Sequence, residues 1–283
     1  GLAYFRRIPY LDVGVVGDHK VIWELNRHQH LVVLAQAWRL TREGRFAAAI
    51  ERHLRDWEKA NPYLRGINWT SALEVAFRLL SWIWTYHLAG EAFAPGFRRW
   101  MVEQIYRHGC YLEQNLSVYF SPNTHLLGEA VALAAVGRHF PALPRAARWH
   151  QLGAGVTAEA MRTQVRDDGS HFEQSTYYHV YALDFFLLHA VVEGTMEPWY
   201  REKLTRMAAF LDALVPPSGR LPFLGDDDGG RLFHPYGDRS RFALGTLATA
   251  AGLLGRGAWL RKAEAFDEQA AWWLGPGHPA ATP

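Results

Sequence analysis

Scarcity of cysteine is the first constraint set by this sequence of 283 residues. Cys110 is the sole cysteine, so the chain can form neither an internal disulfide framework nor a cluster of thiolate metal ligands. It lies in an aromatic stretch with a helical pattern, where a buried thiol is its simplest role. Packing must supply the stability, and 49% apolar residues are ample for a closed core.

Three other features are missing. Basic and acidic residues nearly balance at 30 and 28, and no basic run occurs, so nucleic acid is not an expected partner. No uninterrupted apolar stretch reaches the roughly 18 residues that a membrane span needs. The chain starts at Gly1 without a methionine or a signal peptide, so we expect an internal piece of a longer protein.

Alternating strand patterns are also missing, and the helical period dominates. Segments that are apolar nearly all round should be buried helices, and amphipathic charged segments should cover them. The buried set comprises 24–40, 69–88, 124–137, 176–193 and about 239–255. The covering set comprises about 45–60, 97–115, 145–166, 198–215 and 258–273.

The buried segments recur about every 50 residues, which suits a helix–loop–helix repeat. Inner helices ringed by outer ones predict an all-α fold, an incomplete (α/α) toroid of about five helical hairpins. Long loops rich in turn residues lead into the inner helices, and shorter loops leave them. The long loops should gather at one end, where free N–H groups and helix dipoles favour anions.

A polar first turn opens the third inner helix and is a candidate for chemistry. Asn123 and His125 lie in this turn, and Glu129 follows four residues after His125 on the same face. Asn123 could equally be a helix cap. A buried Glu129 needs a partner, and His125 is the nearest candidate.

A second polar turn opens the fourth inner helix. Tyr178 and His179 precede an apolar run, and Glu173 and Gln174 come shortly before them. A tyrosine at such a place is usually a core residue with a tethered hydroxyl. This cluster is too polar for the start of a core helix, so we predict an active-site element here.

The first two inner helices repeat the polar pattern and supply candidate substrate-binding side chains. Glu74 and Arg78 could instead form an ordinary helix ion pair. The candidates are Asn26, Arg27, His30, Asn68, Trp69 and Arg78.

Metal-binding patterns are weak. The stretch Gly225–Arg231, with three successive aspartates, resembles a calcium loop only in composition, because the twelve-residue spacing that ends in glutamate is missing. No convincing zinc set, nucleophile elbow or phosphate loop occurs. We therefore expect no metal and no cofactor within this chain.

Several ordered motifs together resemble the N-terminal α-toroid domain of the heparinase II/III family of polysaccharide lyases, and the alginate lyases built on the same plan. The resemblance covers nearly the whole chain. It is carried by Lys20–His28, Gly66–Glu74 with Arg78, Asn123–Glu129, Asp168–Gln174 with Tyr178–His179, and Leu221–Asp226.

The resemblance implies β-elimination in an acidic, uronate-containing polysaccharide, of the heparan sulfate or the alginate type. Asn123 would then bind and neutralise the uronate carboxylate, and Tyr178 would act as acid and base. His125 and His179 match positions beside them. A free phenol has a pKa of about 10, so we expect cationic neighbours to lower the pKa of Tyr178.

The resemblance also implies a larger enzyme. Residues 1–275 would form the toroid, and 276–283 would begin a linker to a C-terminal β-sandwich domain that is absent from this chain. That domain would close the cleft and can carry a structural metal. The family implies a periplasmic or secreted location, and this chain alone should turn over acidic sugars poorly.

Two alternatives from other classes stay open. An (α/α) glycoside hydrolase would use Glu129 and Glu173 as its pair of carboxylates. A non-catalytic module would bind acidic oligosaccharides without turning them over.

Overall fold

Helices make up the secondary structure of the chain, for which a computed structural model describes residues 2–262 and 267–275. In that part of the chain, strand-like pairing is limited to isolated bridges between Tyr4 and Arg65 and between Val165 and His171. The all-α prediction is therefore confirmed. The α-helices are α1 Val13–Val16, α2 His19–Leu25, α3 Gln29–Thr41, α4 Gly44–Ala60, α5 Ala72–Ala89, α6 Pro95–Asn115, α7 Thr124–His139, α8 Ala146–Gln164, α9 Thr176–Glu193, α10 Pro198–Leu214, α11 Phe242–Leu254 and α12 Glu268–Leu274.

Buried and covering helices alternate as predicted. Helix α9 spans the predicted 176–193, and Asn115 ends α6 at the predicted position. The connections that lead into α5, α7, α9 and α11 are longer than those that leave α3, α5, α7 and α9. Part of the segment predicted at 258–273 and the linker predicted at 276–283 lie outside the described residues.

The predicted helix at 24–40 is wrong in one respect. Two helices form there, α2 and α3, and the chain breaks between them at Asn26–His28. His28 adopts a left-handed conformation with a φ of 60°. The break lets Arg27 turn inward to Glu74 and lets His28 Nδ1 accept a hydrogen bond from Trp82 Nε1 at 2.9 Å. Satisfying these buried polar groups therefore overrides the helical period.

The chain divides into two compact units. Gly1–Phe120 and Ala135–His150 form the first unit, in which α3 packs against α4 and α5, and α5 also packs against α6. Ser121–Ala134 and Gln151–Pro283 form the second unit, in which α9 packs against α10 and α11, and α12 packs against α11. Each unit buries its own apolar core, with Trp82 in the first and Phe185 in the second.

Close approach of α7 and α8 in the second unit depends on Gly153. A Cβ at this position would lie 2.4 Å from both Ala130 O and Ala134 N, which are backbone atoms. Backbone cannot rotate away as a flexible side chain can. The glycine therefore sets the distance between the two helices and, with it, the placement of the α7 N-terminus.

We expect Gly153→Ala to destabilise the protein by about 1–3 kcal/mol, because the added methyl group forces the helix backbones apart. Gly155→Ala on the same helix is the matched control, since a Cβ there meets nothing within 4 Å. Alanine favours helices by roughly 0.8–1 kcal/mol over glycine, so the control should be neutral or stabilising. Denaturant unfolding measures both, and equal stability of the two variants would contradict this account.

Candidate active site

Asn123 caps α7 through its side-chain oxygen, and its side-chain NH₂ group remains as a hydrogen-bond donor. Its Oδ1 accepts hydrogen bonds from the His125 backbone N–H and from His125 Nδ1, both at 3.0 Å. Since the backbone N–H can only donate, the amide orientation is fixed and His125 Nδ1 must donate as well. Asn123 Nδ2 has no hydrogen-bond partner among the described residues, and the side chain is half-exposed. The capping role and the predicted substrate role are therefore compatible.

Glu173 connects the start of α7 with the segment before α9. Its Oε2 accepts a hydrogen bond from the Thr124 N–H at 3.3 Å and lies 3.6 Å from His171 Nδ1. Burial raises the pKa of Glu173, the Thr124 contact opposes that shift, and the charges of Asp228 and Asp226 add to it. A carboxyl group that holds its proton more readily than usual thus lies beside the Asn123 turn.

His171 is a buried, neutral imidazole next to the Glu173 carboxyl group. Its Nε2 lies 3.2 Å from Gln164 Oε1, and Gln164 Nε2 donates to Pro122 O at 3.1 Å. The glutamine orientation makes His171 Nε2 the donor and leaves Nδ1 as the acceptor that faces Glu173. Burial lowers the pKa of His171 to about 3. The ring is therefore neutral, and its Nδ1 lies 3.6 Å from Glu173 Oε2, just beyond hydrogen-bond distance.

Tyr178 lies in the first turn of α9, where its hydroxyl contacts one carboxylate and is influenced by the charge of two others. Ser175 caps the helix by accepting a hydrogen bond from the Tyr178 N–H at 3.2 Å, and Tyr178 Oη donates to Asp226 Oδ2 at 3.2 Å. Burial, followed by the charges of Asp228 and Asp226, raises the pKa of Tyr178. The expectation that cationic neighbours lower this pKa is wrong, because the groups that act on the phenol are acidic. Tyr178 therefore rests as a neutral phenol.

His179 faces different surroundings from its neighbour Tyr178. Its Nε2 donates to Met207 O on α10 at 3.0 Å, and its ring centroid lies 5.1 Å from that of Phe210. Burial lowers its pKa to about 4. Together with His171 it lines a cavity of about 330 Å³ in the second unit. A catalytic duty for His179 stays a prediction, and the contacts show a structural one.

Two other predicted residues of the second unit differ in exposure. Gln174 is exposed and takes a left-handed φ of 57°, which is uncommon for a residue other than glycine. Glu129 is fully buried, at 0% exposure. Its predicted pairing with His125 stays a prediction.

The candidates of the first unit form a buried polar network. Arg27 donates to both carboxylate oxygens of Glu74, at 2.7 and 2.8 Å. Arg78 is fully buried and donates to His108 Nε2 and to Asn68 O, both at 3.0 Å. Burial lowers the pKa of Arg78 to about 9. The expected Glu74–Arg78 pair is wrong, because Glu74 forms its ion pair with Arg27.

Tryptophans enclose this network. The Arg78 guanidinium lies 4.7 Å from the ring centroid of Trp57 and 5.0 Å from that of Trp69. Trp57 Nε1 donates to Asn26 Oδ1 at 2.5 Å. Asn26 and His30 are half-buried, whereas the other candidates of this unit are buried. A substrate role for this set stays a prediction, and the observed contacts hold the unit together.

Sequence reasoning missed Asp226 and Asp228 as members of the site. The acidic run resembles a calcium loop in composition, and Leu221–Asp226 is among the motifs that carry the family resemblance, but neither feature assigns these aspartates to Tyr178. No local pattern reports that this loop returns to the start of α9. The available signal was three adjacent aspartates in a chain whose charges otherwise balance.

The described residues contain neither a metal-binding cluster nor a membrane-spanning helix. Within 2–262 and 267–275, no three His, Cys, Asp or Glu side chains are grouped so as to hold a metal ion. The expectation of no cofactor in this chain stays a prediction. Among the described helices, none combines the length and the hydropathy that a bilayer crossing requires.

Comparison with known families places the chain. A family model described as Heparinase II/III N-terminus matches residues 7–231. The chain belongs to the heparinase II/III family. The match contains both polar turns, at Asn123 and at Tyr178, and extends to Arg231 beyond the acidic run.

Curated relatives of this heparinase II/III chain are named heparin-sulfate lyases. The protein from Pedobacter heparinus is 28% identical over 225 residues, which are 75% of this chain and 33% of the relative. The protein from Bacteroides stercoris is 26% identical over 193 residues, which are 60% of this chain and 28% of the relative. The chain therefore spans about a third of the length of these relatives.

Solved structures agree with the heparinase II/III assignment. The crystal structure of the heparan sulfate lyase HepC from Pedobacter heparinus matches with a TM-score of 0.60 at 28% identity, covering 74% of this chain and 34% of that one. A crystal structure of heparinase III matches with a TM-score of 0.59 at 20% identity, covering 69% and 31%. The second likeness supports the fold alone.

We expect acid to destabilise this heparinase II/III domain through His179. Its folded pKa of about 4 lies below the usual value of 6.5, so the unfolded state binds more protons between these values. Stability should therefore fall as the pH drops through 6.5 and continue to fall until about 4, by roughly 3 kcal/mol for this residue.

Urea unfolding at a series of pH values measures this effect. His179→Gln keeps an N–H that can donate to Met207 O and cannot be protonated in this range, so its stability should decline less steeply. Arg52→Gln, an exposed substitution on α4 that leaves every histidine in place, is the control and should follow the unmodified protein. If stability fell with pH equally in all three proteins, the attribution of this effect to His179 would be wrong.

Proposed function

We propose that this chain is part of a polysaccharide lyase that cleaves a uronate-containing polysaccharide of the heparan sulfate type by β-elimination. One observation carries the proposal, namely the link that Glu173 makes between the two polar turns. Glu173 contacts the Thr124 N–H beside Asn123, and its charge acts on Tyr178. The amide donor at the start of α7 and the phenol at the start of α9 would supply the two functions that the reaction needs. Family membership and the names of the relatives support the proposal.

Asn123 would stabilise the charge that develops on the sugar. The C5 proton of a uronate is poorly acidic because its removal adds charge next to an ionised carboxylate. Asn123 Nδ2 would donate to a carboxylate oxygen, and the positive end of the α7 dipole would favour the same anion. A single preorganised donor of this kind is worth about 10²–10³ in rate.

Tyr178 would move the protons. Its Oη would take the proton from C5 and then give a proton to O4 of the leaving sugar. The raised pKa suits the second step, because a phenol that holds its proton strongly is present as an acid at neutral pH. The first step requires that the phenolic proton leave Oη as the C5 proton arrives.

The whole enzyme would extend beyond this chain. We propose that residues 1–275 form the catalytic toroid and that 276–283 lead to a β-sandwich domain, which closes the cleft and can carry a structural metal. The matched regions make up 28% and 33% of these relatives, which supports a further domain. A periplasmic or secreted location follows from the substrate, since a long polyanion does not cross a bilayer.

The geometry does not favour a glycoside hydrolase. Such an enzyme needs two carboxyl groups that reach the scissile bond from either side. Glu173 is partly accessible, whereas Glu129 is fully buried on α7. Of the two carboxyl groups that this chemistry would use, Glu129 is therefore out of reach of a bound sugar.

Asn123→Asp separates capping from catalysis. Aspartate still accepts the hydrogen bond from the His125 N–H and caps helices as well as asparagine does. It removes the Nδ2 donor and adds a negative charge where the uronate carboxylate should bind. In the full-length enzyme we expect lyase activity to fall by at least about 100-fold, with stability changed by less than about 0.5 kcal/mol. Retained activity in a stable variant would show that Asn123 is only a cap.

Tyr178→Phe tests the proton transfers. It removes Oη and leaves the ring, so the unsaturated uronate product, followed by its ultraviolet absorbance, should no longer form while the melting temperature is kept. Tyr177→Phe is the matched control, because that neighbouring ring is buried, with the Arg239 guanidinium 5.5 Å from its centroid. Full activity of Tyr178→Phe would refute the mechanism.

A further inference from the structure

A proton acceptor for Tyr178 is required if the phenol is to act as a base from its neutral resting state. Its Oη donates to Asp226 Oδ2 at 3.2 Å. The other acidic groups that act on it, Asp228 and Glu173, do so through charge, without a hydrogen bond to Oη. Arg239 pairs with Asp227 and lies over the Tyr177 ring. Asp226 is thus the described carboxylate placed to receive the phenolic proton.

Hydrogen bonds between its loop and the start of α9 fix the position of Asp226. Thr176 N–H donates to Leu224 O at 3.0 Å, and Thr176 Oγ1 donates to Pro222 O at 2.7 Å and accepts from the Leu224 N–H at 3.0 Å. Ser175 Oγ donates to the backbone carbonyl of Asp226 itself. The loop is therefore fastened at several points within a few residues of Tyr178.

Gly225 allows the loop to approach the residues just before α9. Its φ of 80° lies in the left-handed region, and a Cβ there would lie 2.8 Å from Gln174 O and 2.9 Å from Ser175 Cα. Only glycine fits both the conformation and the space. The close packing at Gly225 holds the loop next to the phenol, so Asp226, the residue after Gly225, has a fixed position beside Tyr178.

We propose that Asp226 is a positioning residue for Tyr178, which orients the phenol and takes up its proton during β-elimination; this rests on the lyase function proposed above. As Tyr178 Oη takes the C5 proton, its own proton moves to Asp226 Oδ2. The electron pair of the C5–H bond forms the C4–C5 double bond, and the C4–O4 pair leaves on O4. Oη then protonates O4 and regains a proton from Asp226, so the enzyme returns to its starting state.

Asp226→Asn in the full-length enzyme tests this role. The amide cannot take up the proton, so kcat at neutral pH should fall by about 100-fold, within the range for general acid–base groups. KM should stay within about threefold, because no substrate contact is removed. Removing the negative charge of Asp226 also lowers the pKa of Tyr178. At alkaline pH the ionised Tyr178 can then take the C5 proton without the help of a carboxylate at position 226. Activity of Asp226→Asn should therefore rise with pH, whereas the unmodified enzyme should show no such rise from neutral pH.

Two further variants complete the experiment. Asp226→Glu keeps a carboxylate and should regain part of the activity. Asp227→Asn alters the same loop, breaks the pair with Arg239 and leaves the Tyr178 contact, so it should keep the pH profile of the unmodified enzyme. Asp226→Asn that stays fully active, or that loses activity equally at every pH, would overturn the proposal. An unmodified enzyme that releases no unsaturated uronate would instead refute the lyase function itself.

Discussion

Thr176 makes the contacts on which the candidate site depends. Through its backbone N–H and its side-chain hydroxyl it joins α9 to Pro222 and Leu224, residues more than forty positions later in the chain. Without these hydrogen bonds the acidic loop would have no fixed relation to the helix. With them, Tyr178 and Asp226 lie within hydrogen-bond distance, and the phenol remains protonated. The chemistry of the site thus follows from a few backbone and hydroxyl contacts beside it.

The apolar character of the inner helices places the polar groups. Between Val180 and Ala190, α9 is buried throughout, so polar groups can reach solvent mainly at its first turn. The same is true of α7, which is buried from Leu127 to Val136. Helix starts also offer free N–H groups, of which Thr124 already binds Glu173. Burial and capping therefore direct both polar turns to helix N-termini, where anions are favoured.

Local patterns predicted what depends on local physics. The bounds of α9, the cap formed by Asn123 and the all-α class follow from periodicity and from capping preferences. Contacts between distant segments were not predictable in this way. The break at Asn26–His28 arises because Arg27 meets Glu74, 47 residues later. Burial raises the pKa of Tyr178, and Asp228 and Asp226, about fifty residues later, raise it further. In both cases partners far along the chain decide what a side chain does.

The central claim is that Asn123 and Tyr178 act on one uronate. A crystal structure of the full-length Tyr178→Phe enzyme with a heparan sulfate oligosaccharide tests it most directly. The account predicts a uronate carboxylate oxygen about 2.7–3.2 Å from Asn123 Nδ2, with C5 of the same sugar facing the ring at position 178. A carboxylate bound elsewhere, with Asn123 making only its contacts to His125, would contradict the account.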